Sequence, residues 1–519
     1  MSAQWFVNPL KRRFEATKIR QKLILEFATK PIANHQNNGD ETNYPYWGNF
    51  HKTLPHSEQD GSVDPVAYEA LLAALKTGKY EDFEAVPKGS INGAKLLNPI
   101  GAGVYNIFGP DSSDIAVTPP PSISTKQWAA DLVNIYWMSL LRDTPFSDYE
   151  TLAQDPTSLV SQALLDLNEY GANYPGPKTG GVITTQDLFR MDIEGTRKGP
   201  IVSQFLLRDF DVDGITVSAK INEPQAGADY VTNWDDFIKI QNGESPLGSG
   251  ITKTANTVYP SNTRQVGCVA GSDLIYSTYN RALSILRSAP VDPANPYATS
   301  TRQSGFSTFG LAHYTYLMGQ VHMAERQAWY TKWLVHRFLR PEAAAGLVHA
   351  KFFDAVPRNA SIPLDDEIAD KRALVELKNK YDSYLLPLMF KNGGPTHPSF
   401  TAGHAISAGA CITLLKALFD TSKTWKELFG QPKYSADGVT LVDYTGPETL
   451  TINDELNKLA QNMANGRDMS GVHWYSDDIE GLKLGEEVAI RILRDDKQGV
   501  VEPFAGFTLH KFDGTVITI

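Results

Sequence analysis

The chain has 519 residues, 42% of them hydrophobic and 21% charged, a balance that builds a large core without staples. Its formal net charge of −11 excludes a general nucleic-acid or anionic-membrane binder, because those partners need a basic footprint, so any anion site must be a local concentration of cations. The two cysteines, Cys268 and Cys411, lie far apart in apolar or glycine-rich surroundings, which argues against a disulfide framework or a cysteine-ligated zinc.

The opening segment MSAQWFVNPLKRRFEATKIRQ holds no apolar stretch of signal-peptide length, and no later segment reaches transmembrane length without charges. A soluble chain with no membrane partner is expected, cytoplasmic by default. Residues 30–65 are rich in Asn, Gly, Pro and His without periodicity and read as a surface-hugging segment free of chemistry. Helical faces follow. Trp128, Leu132, Ile135, Tyr136 and Ser139 share one, and Asp155-Pro156 is expected to cap another that carries Leu159, Ala163, Leu164 and Leu167. Residues 172–262, with many Gly and Pro, read as long loops covering a helical scaffold. A third helix is expected from Ser272-Asp273, carrying Ile275, Tyr279, Ala282, Leu283 and Leu286.

From Gly310 to Phe338 an aromatic-rich pattern predicts one continuous helix, stopped by Arg340-Pro341. Further helices are predicted over 364–389, 403–420, 452–466 and 477–494, and the C-terminal FTLHKFDGTVITI predicts a hairpin about Asp513-Gly514. The fold expected is mainly α, two helix bundles with long loops and minor β-hairpins. Residues 1–300 would form an N-terminal helical region and 301–519 a C-terminal bundle carrying the site.

Seven of the eleven histidines fall between 313 and 473. Three segments stand out there: Lys332-WLVHRFL-Arg340-Pro341, His397-PSFTA-Gly403-His404, and Gly466-Arg467-DMSGV-His473-WYS-Asp477. Together they offer three cations, two or three histidines and a helix N-terminus. A tetrahedral oxyanion is best held by guanidinium forks, an ammonium and backbone N–H groups at a helix start, and Gly403 lets the backbone approach closely. The histidines are free to act as nucleophile, metal ligand or proton shuttle. Taken singly, each residue has a blander reading: Lys332 and Arg340 as a solvated pair near a helix end, His404 as an ordinary first-turn histidine, Arg467 and His473 as a terminal cation and a buried histidine. The joint order and spacing carry the argument.

That order, Lys…ArgPro…GlyHis…ArgxxxxxHisxxxAsp, resembles the shared signature of the vanadium haloperoxidases and the type 2 phosphatidic acid and bacterial acid phosphatases. Seven residues between Lys332 and Arg340, where the phosphatases usually have six, and the HisProSer run from His397 favour the algal-type bromoperoxidases. The resemblance is strong over roughly the C-terminal two hundred residues. It implies vanadate as cofactor, with His473 ligating vanadium and Lys332, Arg340, Arg467 and the Gly403 amide neutralising the equatorial oxygens. His404 would take a proton from incoming peroxide, and Lys332 would polarise the bound peroxide toward halide attack. His397 and Trp329 match positions along the halide approach, although Trp329 in an aromatic helix also reads as core. His336 and both cysteines read as structural.

Two positions stay open. The family places Ser before GlyHis, whose hydroxyl donates to the anion; Ala402 stands there in this chain, a loss of ~1.5–3 kcal/mol unless water or Thr401 substitutes. Asp477 could orient the His473 ring or cap the next helix, and Ser476-Asp477-Asp478 before an apolar pattern slightly favours the cap. The implied activity is oxidation of bromide, with iodide or chloride as further halides, by hydrogen peroxide, followed by halogenation of small organic acceptors. A homo-oligomer built from dimers is implied, a dodecamer among the assemblies the resemblance allows. The competing enzyme is an acid phosphatase with His473 as nucleophile; the non-enzymatic one is an oxyanion-binding or structural protein.

Overall fold

In the computed structural model, which describes residues 8–272 and 274–519, the periodic segments become helices joined by irregular chain. Met1–Val7 and Asp273, on which part of the leader reading and one predicted helix start rest, lie outside the described residues. Helix α1 (Pro9–Thr29) starts at Asn8, whose side chain accepts from the Leu10 and Lys11 amides, and buries none of its residues. α2 (Pro65–Thr77) is capped by Asp64 and ends at Gly78 in the left-handed region. α3 (Lys126–Leu140) is buried from Trp128 to Leu140, so the single apolar face read from sequence understates it: a helix enclosed on all sides is central to its domain. α4 (Leu159–Glu169) is capped by Ser158, nearer the helix than the expected Asp155-Pro156.

Residues 172–262 are not merely covering loops. They hold two small antiparallel sheets, Phe210–Val212 with Ile215–Val217 and Ile221–Pro224 with Lys253–Val258, and α5 (Trp234–Gln241). Leu188, Phe189, Met191, Phe205 and Leu206 from this stretch enter the main core. Residues 30–65 likewise depart from expectation, since Asp40, His51, Lys52 and Thr53 are buried. Composition hides such segments because irregular backbone buries polar groups through individual partners rather than through a periodic face.

α6 (Thr263–Ala270) and α7 (Tyr276–Leu286) follow. The helix predicted from Gly310 to Phe338 is a continuous helical run with three changes of pitch. It comprises α8 (Leu311–Val321), a 3₁₀ turn (His322–Ala324), α9 (Glu325–Tyr330) and a π turn (Thr331–Val335). It stops at Val335 because His336 is extended. Arg340 is also extended, as a residue before proline must be, and Pro341 opens α10 (Pro341–Phe352) at its first position. The helix predicted over 364–389 shrinks to α11 (Arg372–Tyr381), ended by Asp382 in the left-handed region.

α12 (Gly403–Leu418), α13 (Ile452–Met469) and α14 (Tyr475–Gly499) build the heart of the C-terminal half. α13 starts at a capping box between Thr451 and Asp454. α12 and α14 pack at close range, since a Cβ on Gly485 would collide with the Ile406 carbonyl. This closeness sets the first turn of α12 beside the turn between α13 and α14. The C-terminal strands Thr508–His510 and Val516–Thr518 pair about Asp513-Gly514 as expected. The fold is thus mainly helical with small two-stranded sheets. Among the described residues no helix is long and apolar enough to cross a membrane.

Candidate active site

The π turn re-aims the helical run at its functional end, as such turns often do. It carries Lys332 inward, where the ammonium donates to the Ser399 carbonyl at 2.6 Å and the Pro398 carbonyl at 3.2 Å. Arg340, at the start of α10, is pinned by Nε donating to the His397 carbonyl at 2.9 Å and Nη1 to the Val472 carbonyl at 2.6 Å. Arg467 comes from the last turn of α13 and lies over the Phe390 ring. Lys332, Arg340, Arg467 and His473 are 0%, 1%, 4% and 2% exposed, so two stretches over a hundred residues apart bury their polar ends together.

A cavity of about 380 Å³ opens there, with Trp329, His397, Gly403, His404, Arg467 and His473 in its wall. Arg340 borders it, its Nη1 lying 3.4 Å from His473 Nε2 and its Nη2 3.1 Å from His397 Nδ1. Lys332 is outside the wall itself, its ammonium held by the Pro398 and Ser399 carbonyls and its charge felt at His473. His473 Nδ1 donates to Asp477 at 2.8 Å, and Asp477 also accepts the Ser399 hydroxyl. α14 begins at Trp474 without a side-chain cap, so Asp477 orients the ring and the cap expectation is corrected. Aspartate near a helix start reads as a cap from sequence, whereas here its carboxylate is drawn to the histidine one turn back.

His404 Nε2 donates to the Ser272 carbonyl at 3.2 Å, leaving Nδ1 as its basic atom. Trp329 is half-buried at the cavity wall, donates from Nε1 to the Asn98 carbonyl and packs on the His397 ring at 4.8 Å. It is therefore a wall residue rather than an enclosed core residue. His336 packs edge-on against Phe400 away from the cavity wall, and Cys268 and Cys411 are buried free thiols.

Burial and crowding of like charges set the electrostatics of the region. Burial, and next the Arg340 charge, bring the Lys332 ammonium down to about 7, and burial brings Arg340 down to about 9. His397, His404 and His473 are each pushed well below the usual histidine range, first by burial and then by the surrounding cations. All three rings are neutral at pH 7. Asp477 is raised to about 7 by burial, against the pull of Lys332, Ser399 and Arg340.

These residues fit a tetrahedral oxyanion. Three cations are desolvated together, the Thr401 hydroxyl is buried with no hydrogen-bond partner among the described residues, and α12 starts at Ala402 with no side-chain cap, leaving its first amides for a ligand. Gly403 leaves room beside the carboxyl of Glu325: a Cβ there would come 2.9 Å from Glu325 Oε2. Glu325, absent from the sequence-based site, also lines the cavity. Its signal was available, since it stands seven residues, about two helical turns, before Lys332.

A family model of the VCPO second helical-bundle domain matches residues 313–498. The vanadium-dependent bromoperoxidase of Ascophyllum nodosum is 35% identical over 486 residues, covering 91% of this chain and 86% of the relative. That of Corallina pilulifera is 29% identical over 557 residues, covering 92% of each. The solved homohexameric second vanadate-dependent bromoperoxidase of Ascophyllum nodosum superposes with a TM-score of 0.88 at 33% identity, covering 98% of this chain and 91% of that one.

Proposed function

The chain belongs to the vanadium-dependent bromoperoxidases, and we propose that it oxidises bromide with hydrogen peroxide at a vanadate held in the cavity between His473, Arg467 and the first turn of α12. The enzyme takes vanadate as cofactor. The observation that supports this seat is the convergence of Lys332, Arg340 and Arg467 on a histidine whose Nε2 faces the cavity while Asp477 holds its other nitrogen.

When bound, vanadate supplies Lewis-acid activation of peroxide. The chain's own residues do the rest. Arg340, Arg467, Lys332 and the Gly403 amide would neutralise the anion's oxygens, and Asp477 fixes the His473 tautomer so that Nε2 would offer its lone pair. His404, neutral at pH 7 and with Nε2 committed to the Ser272 carbonyl, would take up and release a proton at Nδ1. Lys332, whose ammonium is held by the Pro398 and Ser399 carbonyls, would add positive charge beside the anion and draw negative charge from it. The net change is bromide, hydrogen peroxide and one proton to hypobromous acid and water, and the hypobromous acid then halogenates small organic acceptors. Trp329 and His397 form the wall along which the halide enters.

We further read the chain as two helical parts, 1–300 and 301–519. The second carries the anion ligands, and the first lends the Ser272 carbonyl and the Leu97 side chain to the cavity. A homo-oligomer built from dimers is the assembly we propose, a dodecamer being two hexamers' worth of the same dimer. Support comes from α1, whose Leu10, Phe14, Ile24 and Leu25 are 60% exposed or more, an apolar face that a second copy would cover.

Bromination of a cyclic diketone with bromide and peroxide, with and without added vanadate, tests the function beside hydrolysis of an aryl phosphate. Vanadate-dependent bromination that disappears in His473→Ala is expected. Phosphate hydrolysis inhibited by vanadate, without bromination, would overturn the reading; relatives over nine-tenths of the chain do not favour that phosphatase alternative.

A further inference from the structure

Glu325 opens α9 and stands in the cavity wall with His404 and Arg467. Its Oε1 accepts the Ser407 hydroxyl at 2.6 Å, across to α12. Its Oε2 points at Gly403, close enough that a Cβ there would lie 2.9 Å away, and it has no hydrogen-bond partner among the described residues. The carboxyl is thus clamped by one oxygen and presents the other to the first turn of α12, the turn whose amides are left for the anion.

A carboxylate in that place would repel an oxyanion, whereas a carboxylic acid would donate to it. Burial raises the Glu325 carboxyl to about 7 despite the Ser407 hydrogen bond and the Lys332 charge. A carboxylic acid kept neutral by an enclosed site is a working hydrogen-bond donor. The same turn lacks another donor, because Ala402 has no hydroxyl.

We propose that Glu325 is an anion-binding residue, donating from Oε2 to an oxygen of bound vanadate and taking the place of the hydroxyl that Ala402 does not offer. This rests on the cavity being the vanadate site. No group is transferred: one O–H···O hydrogen bond forms, and the proton stays on the carboxyl. Among the described residues the other charged or titratable groups around this space include Lys332 on the same helical run, His404 and Cys411 on α12, Tyr279 on α7, Arg467 on α13, and His397 and His473 in the same wall. They are common to every variant compared below.

The test is calorimetric titration of orthovanadate into the vanadate-free full chain at about pH 6, a readout independent of turnover. Glu325→Gln keeps a donor of the same shape and is expected to bind within about twofold of the wild type. Glu325→Leu keeps the volume without the donor and is expected to bind roughly tenfold more weakly, about one decade of affinity. Adding Ala402→Ser to Glu325→Leu is expected to restore most of that loss. Tighter binding by both single variants would mean that the carboxylate repels the anion, and unchanged binding by Glu325→Leu would mean a purely structural role; either overturns the proposal. Should Glu325→Leu not fold, wild type and Glu325→Gln are compared at about pH 6 and pH 8. The wild type is expected to lose more affinity on that rise, and an equal loss in both overturns the proposal. Absence of vanadate binding by the wild type at either pH would instead sink the assignment of the cavity.

Discussion

Asp477 and His473 lie one helical turn apart, and the ring donates to the carboxylate at 2.8 Å while the Ser399 hydroxyl donates to the same oxygen. This leaves the ring no freedom to flip. Nε2 is directed to the Arg340 side of the cavity, and its lone pair is raised in basicity by the carboxylate behind it.

Asp477→Asn is therefore expected to weaken vanadate binding by about 10–100-fold, the usual effect of losing such an outer partner. Calorimetric titration checks it. Unchanged affinity would show that the ring needs no carboxylate. Melting temperature should move little by comparison, because the amide still accepts from the Ser399 hydroxyl.

Vanadate affinity should fall as pH rises above 7, and the sign follows from Lys332. Its ammonium is brought down to about 7 in the free protein, by burial first, and a bound anion holds the proton on. Below pH 7 the free protein already carries the charge and the affinity is full. Above it, each pH unit costs up to about tenfold, until the higher value of the bound state is reached. Glu325 and Asp477 titrate in the same window, so the experiment uses a Glu325→Gln background and leaves Asp477 common to both proteins. There Lys332→Arg is expected to remove the Lys332 part of the slope, since a guanidinium stays charged. The titration of vanadate itself is common to both proteins and cancels. An equal slope in the two would place the dependence elsewhere.

Order and spacing made the clustering of Lys332, Arg340, Arg467 and His473 readable from the chain. Lys332 to Arg340 and Arg467 to His473 are local intervals, and Pro341 and Gly403 mark helix starts by their own chemistry. Glu325 was harder to find because its partners, Ser407 and Gly403, belong to α12, some eighty residues on. Asp477 had two readings with the same local signal, and only the position of the His473 ring separates them. The long-range cost is larger still in residues 30–65 and 172–262, where polar and apolar side chains are buried from irregular backbone and no period betrays them.

Trp329 and His397 pack ring on ring at 4.8 Å in the cavity wall. Removing the indole opens the wall without touching an anion ligand, since its own hydrogen bond goes to the Asn98 carbonyl. Trp329→Ala is expected to raise KM for bromide by about tenfold, near 1.4 kcal/mol, with vanadate affinity within about threefold of the wild type. Steady-state kinetics at saturating vanadate separate the two. A fall in vanadate affinity as large as the rise in KM would make Trp329 a support of the anion site instead.

Lys52 belongs to the segment that sequence reading left without chemistry, yet it is buried and bonds Glu342 at 2.7 Å. Its ammonium also donates to the Gly394 carbonyl at 2.6 Å and the Asn392 carbonyl at 3.2 Å, while Glu342 accepts the Gly394 amide at 2.5 Å. The pair thus clamps the strap at 392–394 that leads into His397, two residues beyond Arg340 on one side and in the cavity wall on the other. Breaking one member of a buried ion pair leaves the other charge unsolvated, at a cost of roughly 3–5 kcal/mol, whereas replacing both with apolar groups is often near neutral. Lys52→Met is accordingly expected to lower the melting temperature sharply and to weaken vanadate binding through the displaced strap. Lys52→Met with Glu342→Leu should recover most of the melting temperature but not the affinity, because the Gly394 amide and carbonyl still lack their partners. Full recovery of both would mean that the ion pair serves stability alone and that the strap holds its place without it.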